Sequence, residues 1–168
     1  NCTSLESISI PGSVTSIGEV LMDYSSTYTS NSNYYGNAGT ALPFYKCTSL
    51  KSVRFEDGNA TLYLGSAYSS NYSSYSKGLF YYSPLEEVYL GRNVQYKDYS
   101  TDYSFTWRPS YYGYSAFYNK SKLTKVTIGP EVESLPIYLF YKCTAIESVI
   151  NLALTPNVAG SYSFSTYS

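Results

Sequence analysis

Apolar and polar residues alternate in short, recurring runs along this chain. Ile8 and Ile10, Val53 and Phe55, Val88 and Leu90, and Val126 and Ile128 are each separated by one polar or amphipathic residue. An alternation of period two predicts a strand with one buried face. Each run follows an aliphatic anchor three residues upstream: Leu5, Leu50, Leu85 and Leu123, with Ile146 before Val149 as a fifth case. Turn formers follow at equivalent places: Pro11-Gly12, Asp57-Gly58, Gly91-Arg92-Asn93 and Gly129-Pro130. These residues supply the backbone angles and small volume that a reversal needs.

The runs are edited copies of one phrase. Cys2-Thr3-Ser4-Leu5-Glu6-Ser7-Ile8 returns as Cys47-Thr48-Ser49-Leu50-Lys51-Ser52-Val53 and as Cys143-Thr144-Ala145-Ile146-Glu147-Ser148-Val149. Anchor-to-anchor spacings are 45, 35, 38 and 23 residues. The shortest holds a complete unit: a strand, a Gly-Pro turn, a second apolar pair (Val132 and Leu135), then Phe140 and Cys143. A unit that small cannot bury its own apolar face and must stack on its neighbours. The expected fold is therefore a β-rich solenoid of four to five units over residues 1–168, a piece of a longer chain.

Stacking places equivalent strands side by side in a parallel sheet. Two buried ladders follow: Ile8, Val53, Val88, Val126 and Val149, and Ile10, Phe55, Leu90 and Ile128. The opposite face presents Glu6, Lys51, Glu86, Thr124 and Glu147 beside Ser7, Ser52, Glu87, Lys125 and Ser148. Charges on adjacent rungs alternate or are absent, which supports register. Cys2, Cys47 and Cys143 share one repeat position and read as small, free, buried side chains. Counted back from the anchor, the middle units carry Tyr82 and Lys120 at that position, and Phe80 sits one residue closer to its anchor than its counterparts, which predicts a local slip or bulge.

Against the shortest spacing, the first three units carry 22, 12 and 15 extra residues. These are Tyr24 to Thr40, Ser66 to Lys77, and Tyr96 to Tyr114, built almost wholly from Tyr, Ser, Asn, Gly and Thr. Two readings compete. Tyr with Ser, Gly and Asn is the composition of an antibody paratope, giving large amphipathic contact area with adaptable hydrogen bonding. Trp107 beside Arg108 would anchor such a surface, with Tyr72, Tyr99 and Tyr103 around it. Alternatively the tyrosines pack on one another and widen the stack. Tyr68, Tyr72, Tyr75 and Leu79, and likewise Tyr96, Tyr99 and Tyr103, and Tyr111, Tyr114 and Tyr118, fall at helical intervals.

Asn1 to Gly18 and Phe140-Tyr141-Lys142-Cys143 resemble the BspA-like leucine-rich repeats of bacterial and protist surface proteins. The shared pattern is near Cys-Thr-Ser-Leu-x-x-Ile-x-Ile-Pro-x-Ser-Val-x-x-Ile-Gly-x-x-Ala-Phe, and Ala116-Phe117 matches its end. The resemblance implies a right-handed leucine-rich-repeat array with α/β, β-rich character. Its parallel sheet would line the concave side, with loops or short helices opposite. It also implies export, an extracellular or cell-surface location, roles in adhesion, and no catalytic residues to carry over.

Composition narrows the chemistry. The 168 residues carry 11 Lys and Arg against 12 Asp and Glu, a net charge of −1, with no basic block. Phosphate neutralisation along a nucleic acid is therefore poorly served. No apolar run spans a bilayer. There is no histidine, which removes the Ser–His and Cys–His nucleophile arrangements and the commonest metal ligand. No phosphate-binding glycine motif or paired Cys-x-x-Cys appears, and no cofactor is expected. Arg54, Glu87, Tyr89 and Lys125 form the one polar cluster on the exposed strand face. They read either as solvated rungs or as part of a binding surface. The leading expectation is a non-enzymatic binding or adhesion module for a host or microbial surface protein or glycan. A structural spacer and a carbohydrate-active β-helix enzyme are the alternatives.

Overall fold

The computed structural model describes residues 2–23, 42–44, 46–69, 77–97, 115–155, 158–159 and 163–164. In chain order the strands are β1 (Ser7–Ile10), β2 (Ser16–Asp23), β3 (Ser52–Phe55), β4 (Leu62–Ser69), β5 (Lys77–Gly78), β6 (Glu87–Arg92), β7 (Val94–Tyr96), β8 (Lys125–Glu131), β9 (Ser134–Leu135), β10 (Ser148–Asn151) and β11 (Val158–Ala159).

One five-stranded sheet runs β1-β3-β6-β8-β10, every neighbouring pair parallel. The register is the one the repeat phrase predicts. Ile8 pairs with Val53, Val53 with Val88, Val88 with Val126, and Val126 with Val149. Val53, Val88 and Val126 are buried, as are Ile10, Phe55, Leu90 and Ile128 in the second ladder. Each such side chain contributes roughly 1.5–3 kcal/mol through burial. At the ends of the first ladder Ile8 is only half-buried and Val149 is exposed, each having a paired strand on one side alone among the described residues. The backbone ladder begins one step before the strands. Lys51 N donates to Glu6 O at 2.8 Å, Glu86 N to Lys51 O at 2.7 Å, and Glu147 N to Thr124 O at 2.9 Å.

Opposite this sheet, a second ladder of strands stands where loops or short helices were expected. β4 pairs in parallel with β2 and with β7, and β9 pairs with β11. No helix occurs among the described residues. The helical reading of the tyrosine spacing is thus corrected at its described members, since Tyr68 lies in β4 and Tyr96 in β7. The second insertion opens by lengthening β4, and β5 then pairs antiparallel with it through Ser66–Gly78 and Ala67–Lys77. An extended backbone that already has a partner strand gains ladder hydrogen bonds that a short isolated helix would not.

Between the two ladders lies one apolar core. Its spine is a column of phenylalanines. Phe44, Phe80, Phe117, Phe140 and Phe164 stack at centroid distances of 5.1, 5.4, 5.1 and 5.1 Å, with interplanar angles of 14°, 4°, 12° and 19°. Phe55 tilts against Phe80 and Phe117 from the sheet side. At the last rung the pattern breaks. Asn151 stands where Ile128 stands one rung earlier, and its Oδ1 accepts from Ala153 N at 3.1 Å.

Gly91-Arg92 and Gly129-Pro130, expected as turns, instead lie inside β6 and β8, with a register shift between Leu90 and Arg92, and their glycines let rungs approach closely. A Cβ on Gly91 would lie 2.5 Å from Phe55 O and 2.5 Å from Asp57 N. Arg92 follows, fully buried, and braces two rungs away. Its guanidinium donates to Gly12 O at 2.6 Å and to Pro11 O at 2.8 Å. Nothing in the periodic pattern anticipates a buried arginine there.

Candidate functional site

Two columns of side chains cover the solvent face of the five-stranded sheet. The first runs Ser7, Ser52, Glu87, Lys125 and Ser148, and the second runs Ser9, Arg54, Tyr89, Thr127 and Ile150. Residues two apart on one strand share a face, so all four strand-face candidates belong to one surface. Glu87 and Lys125 pair across adjacent rungs at 3.7 Å. Both are about half exposed, and such a pair is worth about 0–1 kcal/mol.

Arg54 and Tyr89 are the better-built part. The guanidinium carbon of Arg54 lies 3.7 Å from the centroid of the Tyr89 ring, within cation–π range. Asp57 completes the cluster: the Tyr89 hydroxyl donates to its Oδ1 at 2.6 Å, and Arg54 Nη2 lies 3.6 Å from its Oδ2. Burial raises the Tyr89 pKa above 10.0, and the Asp57 carboxylate adds to the effect. The phenol therefore stays a neutral donor. Missing side chains make room for this arrangement. A Cβ on Gly129 would lie 3.0 Å from the Tyr89 hydroxyl, and one on Gly91 would lie 2.7 Å from Asp57 Oδ1.

Sequence reasoning brought Arg54 and Tyr89 together and took Asp57 only as a turn residue. The i, i+3 spacing of Arg54 and Asp57 was the available signal. The other candidates, Trp107, Arg108, Tyr72, Tyr99 and Tyr103, lie outside the described residues. Within the strand-face cluster the carboxylates occur one per pair, Asp57 with Arg54 and Glu87 with Lys125. Among the described residues no group of three or more Cys, Asp or Glu converges as a metal site would require. No helix among them is long and apolar enough to cross a membrane.

The turns leading into the strands correct one alignment. Cys47 N donates to Phe44 O, Cys143 N to Phe140 O, and Ser83 N to Phe80 O. Ser83, not Tyr82, therefore occupies the cysteine position. Ser83 is buried and Tyr82 is 37% exposed. No slip displaces Phe80 from its column. The missing residue is taken out of the stretch after Ser83, which reaches its anchor through Pro84 alone. At the same position Cys143 Sγ donates to Phe117 O, the carbonyl of the preceding rung, at 2.9 Å.

Lys120 makes the equivalent contact with an ammonium. Its Nζ donates to Phe80 O, to Tyr81 O at 2.8 Å and to Ser83 O at 3.2 Å. Burial still pushes its pKa down from 10.5 to about 8, with Cys143 opposing the shift. Burial likewise pushes the Cys143 thiol up from 9.0 to about 11, so it is a protonated, inert donor. Cys47 is also buried and free, whereas Cys2 is free and exposed.

No curated protein and no solved structure matches this chain. The family model of the BspA type leucine-rich repeat region does, in six copies over residues 1–110 and 77–168. Repeats of this type are generally non-catalytic and occur in modules of bacterial surface proteins. The match covers the chain end to end, and its repeat phrase is the one whose side chains form the two buried ladders. The chain belongs to the BspA-type leucine-rich repeat family.

Proposed function

We propose that this chain is a binding or adhesion module of an exported bacterial cell-surface protein, and that it recognises a protein or glycan partner without catalysis. The observation that carries this reading is the Arg54–Tyr89–Asp57 cluster on the open sheet face. An aromatic ring held by a cation on one side and a carboxylate at its hydroxyl is already immobilised. A partner that contacts it then bears little ordering cost. Arginine and tyrosine are also the residue types that concentrate binding energy at interfaces. The family's association with surface proteins supports the location, and the low net charge agrees with a partner other than nucleic acid.

The test is a glycan and matrix-protein array probed with the wild-type chain and with Tyr89→Ala. The expected outcome is capture of at least one partner, weakened about tenfold or more by the substitution, with the melting temperature changed by only a few degrees. Equal capture by both proteins overturns the sheet-face reading and moves recognition to the Tyr-rich insertions, where Trp107→Ala is the matching probe. Capture of nothing favours a spacer.

A further inference from the structure

A second surface feature lies in the turns that lead into β6 and β8. The shortened turn at Tyr81 to Leu85 and the full-length turn at Asn119 to Lys122 face one another across a pocket of about 170 Å³. It is smaller than the roughly 300 Å³ of a drug-sized cleft. It has room for a single small polar ring. The turn on one side, Ser83 to Leu85, is one residue shorter than its neighbour, Lys120 to Leu123.

Its lining is chemically one-sided. Among the described residues that line it, two are lysines, Lys120 and Lys122, and none is a carboxylate, in a protein whose acidic and basic residues are otherwise nearly balanced. Lys120 is buried beneath it with its ammonium on three backbone carbonyls, a fixed positive charge below its pKa of about 8. Lys122 is exposed at the rim. Tyr81 and Tyr82 meet edge to face at 4.9 Å and 81°, each 37% exposed. The Ser83 hydroxyl is buried and has no hydrogen-bond partner among the described residues. Asn119 and Ser121 add further donors and acceptors.

We infer that this pocket binds an acidic saccharide, one pyranose unit carrying a carboxylate. The C–H face of a pyranose is weakly positive and packs on the electron-rich face of a tyrosine ring. Its hydroxyls match the Asn119 amide and the Ser121 hydroxyl. Its carboxylate meets the Lys122 ammonium, a charge-assisted contact of the stronger kind. Neutral sugars satisfy the first two features and not the third. This site goes beyond the sheet-face reading and does not depend on it.

The experiment is residue-resolved NMR titration of the whole chain with three probes: a glucuronate-containing oligosaccharide, the neutral glucose oligosaccharide of equal length, and acetate. The expected result is saturable shifts at Asn119, Ser121 and Lys122 with the acidic sugar. The neutral sugar should bind about tenfold more weakly, and acetate should cause no shifts at the same concentration. Lys122→Gln, at an exposed position, should bring the acidic sugar down to the affinity of the neutral one, and Tyr82→Ala should weaken both. Equal affinity for acidic and neutral sugars, equal response to acetate, no effect of Lys122→Gln, or no saturation at all overturns the proposal. Tyr89→Ala should leave these shifts unchanged. If it abolishes them, the sugar sits on the sheet face and the pocket is not its site.

Discussion

Lys120 performs with an ammonium what Cys143 performs with a thiol. Both donate to the phenylalanine carbonyl of the preceding rung. The lysine also satisfies Tyr81 O and Ser83 O, and it carries a buried charge. Its folded pKa of about 8 lies below the ordinary 10.5, so between these values the unfolded chain binds the extra proton. Stability must then rise with pH in that range and be insensitive to this group below it. Cys143 acts in the opposite sense from pH 9.0 upward, because its folded pKa is raised to about 11. The clean window is pH 8 to 9. Urea denaturation there should show the wild type gaining up to about 1 kcal/mol over Lys120→Met when both are referred to pH 7. Identical pH profiles would show that the lysine is not buried as a charge.

At the scale of the element, the end of β6 is packed as closely as its middle, because Gly91 lies inside that strand. Gly91 abuts the backbone of the preceding rung, and an alanine there must push β6 away from β3. Gly58 faces looser surroundings, where a Cβ would stand 3.4 Å from Gly12 O. Thermal denaturation should therefore separate the two: Gly91→Ala should cost about 1–3 kcal/mol as an overpacking change, while Gly58→Ala should stay within about 0.5 kcal/mol. A loss at Gly91 as small as the one at Gly58 would mean that the end of β6 can relax. The strand pattern itself was legible, because the alternation of Val126 and Ile128 or Val53 and Phe55 has no other economical burial. The second ladder was not. Ser16 to Asp23 and Leu62 to Ser69 gain their extended form from each other, through pairings that join residues some 46 apart in sequence.

For the whole molecule, stability is distributed along one axis, with each rung buried by its two neighbours. The last described rung has only one. Val149 is 48% exposed, against 0% for its partner Val126 in the same ladder. Truncating the two to alanine should therefore differ: about 2 kcal/mol or more for Val126, and under about 1 kcal/mol for Val149. Chemical denaturation of the two variants checks this, and equal losses would imply that the end of the array is covered in solution. The Arg54–Tyr89–Asp57 cluster also belongs to this scale. Its three residues come from two rungs, with Arg54 and Tyr89 paired across them, and only stacking brings them together.

The repeat phrase alone determined the register of the five-stranded sheet and the burial of its inner rungs, since strands of like pattern have one alignment in which their apolar side chains stand beside their equivalents. It also placed Arg54 beside Tyr89. What only the tertiary structure decided was how unequal units share that register. Ser83 took the cysteine position, Phe80 kept its place in the column despite the missing residue, and a pocket lies beside Lys120. A buried arginine settled on carbonyls two rungs away. Such outcomes depend on which neighbouring rung lies against each turn, and that is information a single repeat does not contain.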